Sequence, residues 1–208
     1  MNFVPALAVA AILASSPVIA FEGKVVEVKD GDTVGVLREE NVVVPVRLAS
    51  IDAPEKSMAF GQVAKLGLSA LVFGKVVNVE RRGEDRYGRT IGVLHVNGNN
   101  VNAAMVRDGL AWVYCETPKD VRNCRYLDHR DYALLPLMEA AQANHVGLWK
   151  DPQPVAPWDW RREQKAGRLK EKSCKDFSTC EEAVQALEAG NTQIDGNQDG
   201  VPCEALCR

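Results

Sequence analysis

Five short runs rich in β-branched residues lie between residue 23 and residue 96. They cover residues 23–28, 33–37, 42–51, 75–80 and 90–96. Runs of this length with turn chemistry between them read as strands. Pro45, inside the third run, cannot donate to a ladder and predicts a bulge or an edge position. Between the third and fourth runs, Phe60, Val63, Ala64, Leu68 and Leu71 form a helical stripe over residues 57–72. A short helix over 101–107, ended by Gly109, and a last helix over 131–146 follow. The pattern predicts a mainly β protein with α: a small five-stranded barrel with three helices packed on it.

Charge narrows the function classes. The chain of 208 residues carries 25 Lys+Arg against 28 Asp+Glu, a formal charge of −3, which excludes a generic polybasic coat for nucleic acid. An apolar content of 46% excludes a wholly disordered chain. Any polyanion site must be a local cluster. Residues 1–20 are almost wholly apolar and end with Val18 and Ala20, small residues at the spacing a signal peptidase prefers. They are expected to be a cleaved signal peptide, which leaves no membrane span and makes disulfides and calcium both available. An uncleaved anchor is the alternative, disfavoured by Pro5, Pro17 and the short apolar core.

The rest divides into three. Residues 21–150 balance 17 basic against 17 acidic residues; residues 151–173 hold three prolines in their first seven and then turn basic; residues 174–208 hold four of the six cysteines. The proline-rich start predicts an extended spacer, with Trp158 and Trp160 docking it onto the barrel. The basic run from Arg161 to Lys175 reads equally as a flexible arm attracting nucleic acid or as a solvated linker.

Four segments carry the chemistry: Asp30-Gly31-Asp32-Thr33, Arg47, Asp52-Ala53-Pro54-Glu55 and Asp85-Arg86-Tyr87-Gly88-Arg89. Singly each is turn chemistry. In Asp-Gly-Asp the Gly supplies positive φ and Asp bonds its own backbone. In Asp-Ala-Pro-Glu, Pro opens a helix and Glu favours its positive end. Together they supply carboxylates at strand ends for a hard divalent cation, a further carboxylate as base, and two guanidiniums. Hydrolysis of a phosphodiester needs such a set: a polarised phosphate, a directed water, and neutralised charge on the equatorial oxygens. Arg47 and Asp52 are five residues apart, which on one strand puts them on opposite faces unless a bend intervenes.

In this order, the segments resemble the staphylococcal nuclease (thermonuclease) family over about residues 21–150. The similarity runs from Val-Lys-Asp-Gly-Asp-Thr-Val, through Val-Arg-Leu-Ala-Ser-Ile-Asp-Ala-Pro-Glu and Asp-Arg-Tyr-Gly-Arg, to the Gly-Leu-Trp before Lys150. The resemblance implies an OB-fold barrel with three helices and calcium-dependent hydrolysis of DNA and RNA to 3′-phosphorylated products. It implies Asp32, Asp52 and the Ala53 backbone carbonyl as calcium ligands, Glu55 as general base, and Arg47 and Arg89 on the scissile phosphate. Arg86 and Tyr87 match positions that contact a terminal phosphate. Tyr114 is either a base-stacking residue or, with Trp112, a packing residue of the barrel. Residues 115–124 are an insertion that the simplest members lack.

The last 35 residues resemble the excalibur module, a short extracellular calcium-binding region. Asp195, Asn197, Asp199, the Val201 carbonyl and Glu204 are its candidate ligands, oxygens at alternate positions before a Gly. An acidic turn without metal is the alternative. Thr179 to Glu182 has capping-box spacing and opens a helix that Gly190 ends. Six cysteines allow 15 pairings; the expected set is Cys115–Cys124, Cys180–Cys203 and Cys174–Cys207. A zinc site is disfavoured, since the tail has no CxxC pair. His95, His129 and His145 lack ligand spacing and get no role. Arg81-Arg82 reads as a solvated strand end or a minor polyanion contact.

The reading is thus an exported, calcium-dependent, sequence-tolerant nuclease of DNA and RNA, monomeric, with a calcium-binding appendage. The alternatives are an OB module that binds nucleic acid without cutting it, and an adhesion protein that contacts the cell envelope through residues 151–208.

Overall fold

The computed structural model describes residues 20–114 and 131–208. The expected signal peptide lies, all but Ala20, outside the described residues, as do Cys115, Cys124 and His129.

Strands β1 (Ala20–Val28), β2 (Thr33–Leu37) and β3 (Val43–Leu48) form an antiparallel meander. A two-residue β4 (Ile51–Asp52) follows, then α1 (Gly61–Val72), β5 (Val76–Glu84) and β6 (Thr90–Val96). β1 pairs with β5 and β5 with β6, both antiparallel, and β6 returns to pair in parallel with β3 at Val46–Leu48, closing a five-stranded barrel. Alternation fills it: Val25, Val34, Val36, Val46, Leu48, Val77, Val79 and Leu94 are buried. Their β-branched majority suits a pleated wall. Pro45 pairs only with Gly35 of β2, one step before β6 joins, so it takes the predicted edge position.

The barrel is followed by β7 (Asn99–Asn100), α2 (Val101–Arg107), β8 (Trp112–Val113) and α3 (Leu134–Ala143). Helices α1, α2 and α3 share one core with the barrel through Ala64, Leu68, Met105, Val106 and Met138. The first two helix positions match the sequence pattern. α1 starts at Gly61, not near residue 57, so Asp52 ends β4, Ala53-Pro54-Glu55 belongs to a loop and Pro54 does not open a helix.

The segment expected as an extended spacer is so only to Ala156. Pro157–Lys170 is a helix, α4. Pro157 stands at its start, Asp159 lies in its first turn, and Arg168 and Lys170 lie in its last, each at the dipole end that favours it. Trp158 does dock on the barrel, 5.6 Å between ring centroids from Trp112 and 6.0 Å from Tyr114.

The C-terminal unit has its own small core of Phe177, Ala183, Ala186, Ile194 and Cys203, built on α5 (Cys180–Glu188) and α6 (Glu204–Cys207). Thr179 caps α5 by accepting from the Glu182 N–H. Among the described residues the disulfides are Cys174–Cys203 and Cys180–Cys207, not the expected Cys180–Cys203 and Cys174–Cys207; the expected Cys115–Cys124 lies outside them. The Cys203 N–H bonds the Ile194 carbonyl, which also lies 3.8 Å from the Cys174 sulfur. One turn later on the same face, Cys207 stands 3.8 Å from the Cys180 carbonyl. Among the described residues no helix is long and apolar enough to cross a membrane.

Candidate active site

At one end of the barrel the strand leaving Arg47 breaks. Leu48 and Ala49 stay buried, Ser50 takes a left-handed conformation (φ 61°), and the chain restarts as β4, paired with β8. This bend cancels the odd spacing: the Arg47 Nη2 donates to Asp52 Oδ1 at 2.9 Å. The turn is pinned from several sides. The Ala49 N–H bonds the Gly92 carbonyl, and the Tyr114 N–H bonds the Ser50 carbonyl. Asn102 of α2, which sequence reading passed over, is buried and donates to the Ala49 carbonyl at 2.9 Å while accepting from the Leu94 N–H.

Asp32 arrives from the β1–β2 turn. Its Oδ2 accepts the Ala53 N–H at 2.8 Å and lies 3.2 Å from the Arg47 Nη1. The Asp30 carboxylate accepts the Asp32 N–H, as Asx chemistry predicts. Gly31, however, is not at positive φ. It is required by close approach: a Cβ there would stand 2.6 Å from the Ala53 Cβ and 2.8 Å from the Ala64 Cβ. Glu55 is held similarly, since a Cβ on Gly61 would fall 1.9 Å from its carbonyl oxygen.

The carboxylates do not stand alone. The Arg161 Nη2 of α4 donates to Asp52 Oδ2 at 2.6 Å, and its Nη1 to Glu55 Oε1 at 2.6 Å. Charges therefore alternate across the site: Asp32, Arg47, Asp52, Arg161, Glu55. Arg161 was absent from the residues picked out in the sequence as catalytic or binding. Its signal was a Pro-opened helix in which Trp158 and Arg161, three apart, share a face. The basic run, read equally as a flexible arm or a solvated linker, is helical as far as Lys170.

Electrostatics follow from burial. Desolvation pushes the Asp52 carboxyl above its usual range, against the hydrogen bond from Arg161 and the charge of Arg47. Desolvation, joined by the nearby Asp32, pushes Asp30 up to about 6. Burial alone would lower the Arg47 and Arg161 values, but the carboxylates they bridge raise both.

From the opposite side, the β5–β6 hairpin delivers Arg89, whose Nε donates to Asp85 at 2.7 Å. Tyr87 is exposed, with the Arg86 guanidinium 4.9 Å and that of Arg89 5.6 Å from its ring centroid. All these side chains, with Tyr114, line one open cavity of about 610 Å³. Arg81 and Arg82 lie outside it: Arg81 pairs with Glu84, and Arg82, only 11% exposed, with Glu80 and Asp131. Arg82 is thus a wall fastening, not a solvated strand end.

Among the described residues no three metal-ligating side chains close on one point at either site. The donor set at the barrel nevertheless fits a hard cation: Asp30, Asp32, Asp52 and Glu55 offer only oxygen. In the C-terminal loop, Asn197 Nδ2 bridges Asp199 Oδ2 at 3.1 Å and Glu204 Oε1 at 2.5 Å. Asp199 Oδ1 accepts the Val201 N–H, which with its other partners holds its carboxyl low. Asp195 Oδ2 accepts the Gly200 N–H, while its buried Oδ1 receives no hydrogen bond. A buried, unpartnered carboxylate oxygen suits a calcium ligand.

Carboxylates alternating with two guanidiniums at a barrel mouth, opposite a third arginine on a hairpin, are groups with which phosphodiester hydrolysis can be carried out. The chain belongs to the staphylococcal nuclease homologues, whose family pattern matches residues 45–151, and it is a nuclease. Residues 171–204 match the Excalibur calcium-binding domain, and calcium is the cofactor that these two families bring to the chain. The chain is 44% identical to an uncharacterized endonuclease of Haemophilus influenzae, over 68% of this chain and 74% of that one. It is 42% identical to protein ParB of Escherichia coli, over 76% and 89% of the two chains. It is 39% identical to a micrococcal nuclease of Shigella flexneri, over 70% and 83%.

Proposed function

We propose that this nuclease is an exported endonuclease, dependent on calcium, that cuts DNA and RNA with little sequence preference and leaves 3′-phosphates. The observation that carries the reading is the single cavity in which Asp32, Arg47, Asp52 and Glu55 face Arg89 and Tyr87. Its charged groups pair with one another or are placed for calcium, phosphate and water, chemistry that carries no base sequence.

Asp32, Asp52 and the Ala53 carbonyl would hold the calcium ion. When bound, the ion polarises a phosphate oxygen and orients water near it. Arg47, fixed by the Leu48 and Ile51 carbonyls, presents its guanidinium to the phosphate. Arg89 neutralises charge on the equatorial oxygens and on the departing 5′-oxygen, kept in orientation by Asp85. Glu55 accepts the proton of the attacking water. Arg86 and Tyr87 meet a terminal phosphate at the hairpin tip, and Tyr114 offers a ring for stacking a base. Asp195, Asn197, Asp199, the Val201 carbonyl and Glu204 form a second calcium site. The disulfides of the C-terminal unit favour an oxidising compartment, in keeping with removal of residues 1–20. The mature chain would then work as three parts, 21–150, 151–173 and 174–208.

The test uses oxidised residues 21–208 on denatured DNA and RNA, with calcium or excess chelator, beside Glu55→Gln and Arg89→Ala. Cleavage that needs calcium, fails in both variants and yields 3′-phosphate ends is expected. Binding without cleavage by the folded protein would overturn the reading in favour of a binding module.

A further inference from the structure

Arg161 reaches the site from outside the 45–151 stretch that matches the family pattern. Its helix is fixed beside the site on two sides. Trp158 packs on Trp112 and Tyr114, and Trp160 lines an apolar cleft with Pro54, Met58, Phe60 and Leu148. The side chain itself is 41% exposed, so it can swing without moving the helix. It engages Asp52 Oδ2 and Glu55 Oε1, each at 2.6 Å, and more loosely Asp52 Oδ1 at 3.4 Å. Asp52 itself is 1% exposed, and its other oxygen is held by Arg47. The oxygen left to face the cavity is therefore the one Arg161 covers.

We infer that Arg161 is a tethered cation that competes with calcium for Asp52 and, while it does so, ties up Glu55. The inference rests on the reading of Asp52 as a calcium ligand. A guanidinium nitrogen within hydrogen-bond distance of Asp52 Oδ2 occupies the direction a calcium ion would take at about 2.3–2.6 Å from that oxygen. The two cations therefore exclude each other there. When Arg161 gives up Asp52 it also gives up its one hydrogen bond to Glu55, since a single guanidinium makes both contacts. Calcium loading and release of the base become one event, and the site stays quiet where free calcium is scarce.

Linkage makes this reciprocal: removing Arg161 must tighten calcium, and calcium must loosen Arg161. Calcium binding is measured calorimetrically on wild type, Arg161→Gln and Arg162→Gln, each with and without Asp52→Asn to subtract the C-terminal site. Arg162, on the same helix, pairs with Asp159 and controls for loss of charge. Arg161→Gln should tighten the Asp52-dependent binding by roughly two- to fivefold, the range a partly exposed ion pair supports, with Arg162→Gln unchanged. The guanidinium NMR signal of Arg161 in the wild type should move as that site fills, a readout that needs no variant. Equal affinity in wild type and Arg161→Gln, equal tightening in Arg162→Gln, or an unmoved Arg161 signal would overturn the competition alone. Absence of Asp52-dependent binding in every protein would overturn the calcium reading of Asp52, and this inference with it.

Discussion

Arg89 reaches the site from the far end of the β5–β6 hairpin; Asp85 sets its orientation through Nε, and its Nη1 lies 3.5 Å from the Thr33 hydroxyl. A lysine keeps the charge but cannot hold Asp85 and present a fork together. Arg89→Lys should therefore lose about 10²-fold in kcat, close to Arg89→Ala; initial rates on denatured DNA measure this, and recovery to within about tenfold of wild type would count against a forked contact. Asp85 carries a pH signature. Desolvation pushes its carboxyl up, but bonds from the backbone and side chain of Arg89 and from the Tyr87 N–H outweigh that and hold it below 3.8. Its folded value is the lower one, so its contribution to stability is complete above the unfolded value and is lost as pH falls through the folded one. The Tyr87 and Arg89 amide signals should titrate with a midpoint below 3.8 in an NMR acid titration. A midpoint at or above that value would remove Asp85 as the organiser of the tip. The motif itself was legible in the sequence because turn chemistry is local.

The bend at Ala49 and Ser50 does at the level of elements what no single residue does: it turns two opposite faces of a strand into one. Its fastening is Asn102, which joins α2, β6 and the bend. Asn102→Ala leaves the Ala49 carbonyl and the Leu94 N–H short of a partner, at a cost of about 1–3 kcal/mol. A fall in Tm together with reduced kcat is expected; a Tm fall with unchanged kcat would show that the bend survives without it. The start of α1 fastens Glu55 in the same manner. Gly61→Ala puts a Cβ 1.9 Å from the Glu55 carbonyl, and the loop must move. The loss should be about 1–3 kcal/mol in denaturant unfolding, with activity reduced beyond what unfolding explains. Strand and helix positions were readable from apolar periodicity. The bend was not, because a left-handed Ser50 is decided by its neighbours in space.

The described residues build two cores and a helix between them: the barrel core runs from Val25 to Trp149, the small one from Phe177 to Cys203, and α4 lies between in the chain. The small core holds only five buried residues, too few for a unit of this size without covalent ties. Cys174–Cys203 and Cys180–Cys207 each contribute about 3 kcal/mol by restricting the unfolded chain. Reduction should therefore melt residues 174–208 and leave the barrel folded, as hydrogen exchange resolved by peptide would show; protection retained in α5 after reduction would count against the staples. By itself, the sequence determined the barrel strands, the helical stripes, the carboxylate and arginine motifs and the acidic loop of the tail. Each is written in residues adjacent in the chain or repeating at a fixed period. Tertiary structure decided which cysteines meet, why Gly31 must be glycine, and how Arg47 and Asp52 come to share a face. It alone brought Arg161 to Asp52 across 109 positions of chain. No local pattern encodes such a contact, because it depends on where α4 lands when Trp158 and Trp160 find apolar surface on the barrel.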